Sequence, residues 1–210
     1  MKKIKFLLIF SAFIIAGISV NAQSIGFKSG VTFSNLNTDP DYIESYVVTK
    51  PGVEFGVMVS MPIFPMFDFK PEVIVFQKGD RHKGEILGVA FDYKSTINYI
   101  DVPLNIRFKP PVLPVYAIAG PYIGYAFQGS SYSKVGDFVE QSDINFQNHD
   151  FSTFDLGVNA GLGFIKDFGP LHFFVEARYN YGFLDLEKSD YVIANNTNIS
   201  VAAGIMLGFK

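Results

Sequence analysis

The sequence contains no cysteine and no tryptophan, and charged residues make up only 18% of its 210 positions. Without cysteine, the fold cannot depend on disulfides or thiolate metal sites, and a lipid anchor on a cysteine is excluded. Acidic residues outnumber basic ones by 20 to 17, so the composition does not indicate nucleic-acid binding. Beyond position 22, no apolar run approaches the ~20 residues of a transmembrane helix. A chain that is 49% hydrophobic and lacks such a run favours β structure.

The first 22 residues have the pattern of a bacterial export signal. A basic start, made of Lys2, Lys3 and Lys5, precedes an apolar run over positions 6–20. Small residues end this segment, so we expect cleavage between Ala22 and Gln23. The predicted mature domain, residues 23–210, then carries 14 basic and 20 acidic residues, a net charge of −6.

Apolar side chains alternate with polar or small ones in eight segments, which is the period-two pattern of β-strands with two different faces. The segments are 25–36, 53–61, 67–75, 100–109, 113–128, 154–164, 171–181 and 199–209. In 113–128 both faces are apolar or small, so the sequence does not show which face of this strand points inward. The connections alternate as well: long polar segments at 37–50, 79–95, 129–149 and 184–196 take turns with short ones at 62–66, 110–112 and 165–170. This pattern predicts an all-β fold, an eight-stranded antiparallel transmembrane β-barrel with four long outer loops and short periplasmic turns.

The charges on the polar face of these strands indicate which face points outward. Five are positive and five are negative: Lys28, Lys70, Arg107, Lys109 and Arg178, with Glu54, Glu72, Asp101, Asp155 and Glu176. Equal numbers among many small residues fit a paired interior better than the charge-rich exterior of a soluble barrel. We therefore predict a polar network in the lumen, either as a plug or as a permeation path, with an apolar face toward lipid. The four long loops together hold the net charge of −6, so the outer end is predicted to be acidic.

Aromatic residues cluster near the predicted strand ends, where girdles meet lipid headgroups. They are Tyr99, Phe108, Tyr116, Tyr125, Phe127, Tyr179, Tyr181 and Phe209. The alternative for each of them is a place in the core. The last strand also carries Gly204, Leu207 and Phe209 at the spacing of a signal for the barrel-assembly machinery, although the chain ends on Lys210 rather than on an aromatic residue.

Short motifs along the chain occur in an ordered set. They are Gly30-Val31-Thr32-Phe33-Ser34-Asn35-Leu36, Pro71-Glu72 through Gln77-Lys78-Gly79, Tyr99-Ile100-Asp101-Val102-Pro103-Leu104, Ala119-Gly120-Pro121-Tyr122-Ile123-Gly124, Phe154-Asp155-Leu156-Gly157 with Gly161 and Gly163, and Arg178-Tyr179 followed by Gly182. In this set the chain resembles the PorT-like outer-membrane β-barrel family of the Bacteroidetes. The resemblance implies an eight-stranded barrel in the outer membrane. Because one member is associated with type IX secretion and gliding, it also implies a secretion-system partner as a hypothesis.

Residues suited to chemistry are few. The histidines are His82, His149 and His172, and the neighbours Asp150 and Ser152 do not make a catalytic triad with His149 by adjacency alone. Gly161-Leu162-Gly163 lacks the third glycine of a dinucleotide site. Two acidic groups could gather a divalent cation, but neither matches the calcium loop; they are Asp39, Asp41 and Glu44, and Asp185, Glu187 and Asp190. We therefore predict no catalytic residue, metal or cofactor.

The predicted function is a non-enzymatic surface-interaction or envelope-assembly role, with outer-membrane lipid, the barrel-assembly machinery and a surface or secretion-system protein as partners. Two alternatives remain open at this point. One is a lipid-modifying enzyme of the outer membrane, and the other is a soluble periplasmic barrel that binds a ligand, because such barrels alternate in the same way.

Overall fold

The computed structural model describes residues 24–39, 48–86, 88–144, 153–185 and 193–209. Within these ranges the regular structure consists of ten β-strands. They are β1 (Ser24–Asp39), β2 (Lys50–Phe64), β3 (Phe67–Lys78), β4 (Arg81–Ile86), β5 (Val89–Phe108), β6 (Val115–Val135), β7 (Phe138–Asp143), β8 (Phe154–Phe168), β9 (Leu171–Asp185) and β10 (Ile193–Gly208). In the part of the chain described, no helix is long and apolar enough to cross a bilayer.

Eight of the strands close into a ring in which every neighbouring pair is antiparallel. The order around the ring is β1, β2, β3, β5, β6, β8, β9 and β10, and the pairing of β10 with β1 completes it. The pairing of β1 with β10 runs from Ser24 opposite Gly208 to Asp39 opposite Ile193. Because closure leaves no free edge in the ring, every strand backbone inside the bilayer can be hydrogen-bonded on both sides. The predicted eight-stranded barrel is confirmed.

The turns are short at one end of the ring, where β2 meets β3, β5 meets β6 and β8 meets β9. We call this the turn end, and the opposite end the loop end. Gly169, with a φ of +62°, lies in the turn between β8 and β9, a backbone conformation in which a side chain would be strained.

Two of the segments predicted as long loops are largely β structure. Within 79–95, β4 pairs with the first residues of β5 from Arg81 opposite Lys94 to Ile86 opposite Val89. Within 129–149, β7 pairs with the end of β6 from Val135 opposite Phe138 to Ser130 opposite Asp143. Since β5 and β6 also pair there with each other, the four strands form one sheet beyond the loop end. We call residues 81–94 and 130–143 the extension.

The structure has ten strands rather than the eight predicted, because a polar segment outside the bilayer can be a strand as well as an irregular loop. The strands β5 and β6 have 20 and 21 residues, about twice what a tilted bilayer-crossing strand needs. Their upper halves are polar because they lie outside the bilayer, and they remain strands because β4 and β7 satisfy their backbone groups.

The apolar phase of each strand faces outward. Phe27, Leu162 and Val175 on three different strands are 63%, 71% and 52% exposed, while the charged side chains between them are buried. In β6 the phase that the sequence left open is resolved: even-numbered residues up to Ala126 point inward, and Tyr125 and Phe127 point outward.

Two of the aromatics predicted for the girdle belong to the interior instead. Tyr99 and Tyr116 are buried, because both occupy the inward phase of their strands. Phe108, Tyr125, Phe127, Tyr179 and Phe209 are exposed on the outside, and Tyr181 is half-buried. Space for the inward ring of Tyr116 comes from Gly163, where a Cβ atom would lie 2.2 Å from the ring Cζ.

Candidate functional site

The interior of the barrel contains a central cluster of six charged side chains, three of each sign. They are Lys28, Lys70 and Arg178, with Glu54, Glu72 and Glu176. Each is at most 3% exposed. Because the residues come from β1, β2, β3 and β9, the cluster ties together strands that do not all pair with one another.

The contacts within the cluster are multiple rather than pairwise. The Lys28 Nζ lies 3.3 Å from carboxylate oxygens of both Glu54 and Glu72, and 3.4 Å from Glu176. The Lys70 Nζ lies 3.2 Å from Glu72 and 3.3 Å from Glu176. Arg178 donates hydrogen bonds to Glu72 and Glu176. Such sharing offsets the large desolvation cost of buried charge.

Neutral donors from β5 and β6 complete this cluster. The Tyr116 hydroxyl donates to Glu176 at 2.8 Å, and the Asn105 side-chain amide donates to Glu72 at 3.5 Å. Side chains from opposite sides of the ring are in contact at this level, because Lys70 on β3 pairs with Glu176 on β9, four strands away around the ring. This arrangement is that of a bonded polar plug.

A second cluster lies nearer the loop end, around the ammonium group of Lys78. The Lys78 Nζ lies 2.8 Å from Asp101 and 2.9 Å from Asp155. It also lies over the rings of Tyr99 and Tyr122, 4.7 and 4.8 Å from their centroids. Ion pairing and cation–π contact together hold this buried lysine in place.

The turn end of the lumen holds the remaining predicted residues. The Arg107 Nε donates to Asp68 at 2.9 Å, and its Nη2 donates to Ser60 at 3.0 Å. Lys109 does not join the buried clusters: its Nζ reaches Asp167 at 3.4 Å, and both side chains are at least one-third exposed. The reason is its position one residue beyond the end of β5, where the bore opens into a cavity of about 870 Å³.

The structure therefore brings nine of the ten predicted lumen residues into the interior, and it adds others that the predicted network does not include. Those added are Asp68, Lys78, Asn105, Tyr116 and Tyr122. Lys78 could have been found, because it continues the inward phase of Glu72 through Ile74 and Phe76 on β3. The tyrosines could not, since β6 is apolar or small on both faces.

The predicted assembly signal lies on β10 and just beyond it. Leu207 and Phe209 are exposed on the outer surface. Gly204 is packed against the inward ring of Phe174, because a Cβ atom added to it would lie 2.4 Å from that ring. The predicted signal cleavage at Ala22 and Gln23 lies outside the described residues.

The extension differs from the barrel in being open to solvent. All six residues of β7 are exposed, with Phe138 at 86% and Val139 at 59%. Among the described strands, none pairs with the outer edge of β7, where the sheet ends. The other end of the sheet is different, because the Val48 N–H donates to the Arg81 carbonyl of β4 at 2.8 Å.

The closed ring, the apolar exterior and the charged interior agree with the family comparison. Residues 21–188 match the family model described as outer membrane protein beta-barrel domain. The chain belongs to this family. As a member of it, the protein is an outer-membrane β-barrel, and the exposed apolar belt faces lipid. The soluble ligand-binding barrel is thereby set aside, since its exterior would have to be polar.

Solved outer-membrane barrels of low sequence identity are similar in structure. Ail of Yersinia pestis has 14% identity and a TM-score of 0.44, covering 89% of this chain and 99% of its own. OprG of Pseudomonas aeruginosa has 13% identity and a TM-score of 0.46, covering 90% and 97%. Neisserial surface protein A has 12% identity and a TM-score of 0.38, covering 88% and 97%. At these values none of them indicates what this chain does. A comparison with curated proteins gave no significant match.

The described histidines each face a neighbouring carboxylate. The His82 Nε2 lies 3.0 Å from Asp80, and the His172 Nδ1 lies 2.6 Å from Asp167. Burial raises the pKa of Asp80 above its usual range, although His82 acts in the opposite direction. No group of three potential metal ligands occurs among the residues that were placed. His149, Asp150 and Ser152, and most of the two acidic loop groups, lie outside the described ranges.

Proposed function

We propose that this protein is a non-enzymatic surface-interaction protein of the outer membrane, in which the barrel is a closed anchor and the extension contacts a partner protein. The observation that carries the proposal is the open outer edge of β7, a six-residue strand that is exposed along its whole length. An unpaired strand edge is a ready template for an added strand.

The backbone pattern of β7 shows which of its groups are available. The Ile144 N–H donates to the Gly129 carbonyl at 3.0 Å. The backbone N–H and C=O groups of the even-numbered residues of β7 therefore point toward β6. In an antiparallel pair the bonded positions alternate, and the N–H groups of Val139, Gln141 and Asp143 therefore point to the open edge.

The composition of β7 supports the same use. Natural sheets protect their edges with charged residues, above all lysine, with proline or with bulges, and FVEQSD contains no lysine and no proline, only two acidic residues. Phe138 and Val139 offer apolar contact, and Glu140 and Asp143 add negative charge. The partner that fits is an extended segment with apolar and basic residues.

A single N–H can be removed to test this proposal. Gln141→Pro deletes an edge donor while leaving the β6–β7 bonds intact, and Gln141→Ala is the matched control that keeps the N–H. With a photo-crosslinking residue at Phe138 in intact cells, we expect one discrete crosslinked protein with the wild type and with Gln141→Ala. With Gln141→Pro we expect the crosslink to be lost. Equal crosslinking by all three proteins, or none by any, would contradict the proposal.

The role in type IX secretion is a finer proposal, supported by the resemblance to the PorT-like family. If it holds, deleting the gene leaves cargo of that system inside the cell, and the Gln141→Pro gene fails to restore export. Normal export from the deletion strain would remove secretion from the proposal while leaving the surface partner to be found. The enzyme alternative would be revived by loss of a lipid A modification in the same strain.

A further inference from the structure

The outward face of the extension carries two rows of side chains that run across its strands. In the row nearer the barrel, Arg81 is opposite Lys94, Lys94 is opposite Tyr132, and Tyr132 is opposite Gln141. In the row beyond it, Asp92 lies between Lys83 and Lys134. We call Arg81, Lys83, Asp92, Lys94 and Lys134 the basic face. Glu85, two residues beyond Lys83, and Asp143, opposite Ser130, lie on the same side of the sheet, so the net charge of this side is +1 in a chain whose net charge is −3.

The described carboxylates on this side of the sheet balance only part of its positive charge, and they leave its three lysines without an ion pair. Asp92 accepts from Arg81 at 2.9 and 2.6 Å, and these hydrogen bonds lower the pKa of Asp92, so the carboxylate is ionised and committed to Arg81. Among the described residues, no carboxylate forms an ion pair with Lys83, Lys94 or Lys134. Arg81 and Lys94 lie directly opposite each other, where like charges are destabilising unless an anion lies between them.

The height of the basic face is set by the strand from which it projects. On β5 the outward residues are apolar up to Ile100 and become polar at Asn98 and Thr96. Lys94 is four residues beyond Asn98, about 14 Å along the strand and roughly 10 Å above the apolar belt at the usual strand tilt. The lysine stem can reach down from there, so its ammonium group can meet the headgroup layer.

The same face contains a shallow groove of about 380 Å³. Its lining is polar and consists of Arg81, Lys94, Thr96, Ser130, Tyr132 and Gln141, together with Asp92, whose carboxylate is bound to Arg81. Cations flanked by hydroxyl and amide groups are suited to a phosphate group, which accepts several hydrogen bonds at once. The groove opens toward the lipid side because Lys94 and Thr96 continue the outward phase of β5. On β6 a bulge opposite Asn98 and Tyr99 reverses the phase, so Ser130 and Tyr132 reach the same face.

We propose that the basic face binds the phosphate-bearing headgroup of a lipid in the surrounding outer leaflet. Arg81 and Lys94 supply the charge, Thr96 and Ser130 the hydroxyl contacts, and Lys83 and Lys134 attract a second phosphate farther from the membrane. This site is on the outward side of the extension; it includes the Gln141 side chain but not the backbone groups at the open edge of β7.

The test is a lipid titration of the purified full-length barrel in a non-ionic detergent, followed by native mass spectrometry. The probes are a bis-phosphorylated glucosamine lipid, the same lipid without phosphates, and inorganic phosphate. We expect binding of the phosphorylated lipid, weakened about fivefold by Lys94→Gln and more by Arg81→Gln with Lys94→Gln. Asp92→Asn removes the competing anion, so we expect it to strengthen binding.

Lys166→Gln is the matched control, because Lys166 is also exposed on the outside but lies on β8 near the turn end. Retention of the compact band on unheated gels confirms that each variant is folded. Equal affinities for the Lys94 and Lys166 variants would overturn the proposal, as would equally tight binding of the phosphate-free lipid. Displacement of the lipid by inorganic phosphate at the same concentration would assign the site to free phosphate and overturn the lipid assignment.

Discussion

The two halves of β5 use the same alternation with opposite chemistry. In the barrel half, Leu104 and Ile106 face outward while Asp101 and Arg107 are buried inside. In the extension half, Lys94 lies on the outward face and is exposed to solvent. The register with β4 and β6 is continuous through this half, so the strand itself does not change.

This difference shows that the medium in contact with the outer face, lipid or water, decides on which side of the strand a charge can lie. Against lipid, each charge must go inside and find partners, because an unpaired charge in a low-dielectric interior costs several kcal/mol. Against water, charges can stay outside unpaired at little cost. The same alternation therefore places apolar residues outside and charges inside in the barrel half of the strand, whereas charges lie outside in the extension half.

The largest expected effect is the difference in stability lost when one arginine is removed from each half of the molecule. Arg178→Ala leaves Glu72 and Glu176 without one of their shared cations, so we expect a loss of about 3–5 kcal/mol in the free energy of unfolding. Arg81→Ala removes a partly exposed pair with Asp92 and should cost less than about 1 kcal/mol. Denaturant unfolding of both variants in lipid vesicles measures the difference. Equal losses of unfolding free energy would mean that water reaches the interior cluster.

The next effect concerns the outer surface of each half. Leu104→Arg places a charge on the lipid-facing side of β5, and we expect a cost of about 2–4 kcal/mol near the bilayer midplane. Val139→Arg places the same charge on β7, which lies outside the bilayer, and should be neutral for folding. Insertion into vesicles from urea measures both. If the two variants insert equally well, Leu104 does not face lipid.

The smallest effect is the acid dependence of the extension. Because hydrogen bonds from Arg81 lower the pKa of Asp92 below its ordinary value of 3.8, the ionised carboxylate stabilises the folded extension. That contribution is complete above pH 3.8 and is lost as the pH falls through the lower, folded value. We expect amide-exchange protection of β4 to decline there by less than about 1 kcal/mol. The decline should be missing in Arg81→Ala, and its persistence would assign it to another group.

Much of the barrel was predictable from the sequence because each of its strands has one lipid face and one lumen face. That contrast fixes the alternation, and it correctly predicts eight ring strands and most of the buried charges, although not Lys50 and Lys78. It failed where the contrast is weak. In β6 both faces are apolar or small, so the inward placement of Tyr116 and Tyr122 became visible only with the register.

The sequence by itself determined the class of fold, the number of strands in the ring and, for every ring strand except β6, which face is apolar, because these follow from period-two hydrophobicity along single strands. Only the tertiary structure decided which charges meet across the bore, that β4 and β7 extend two loops into a sheet, and that Arg81, Lys94 and Lys134 lie on one face. The reason is that these features depend on register between strands distant in sequence, and a single strand carries no information about its partner.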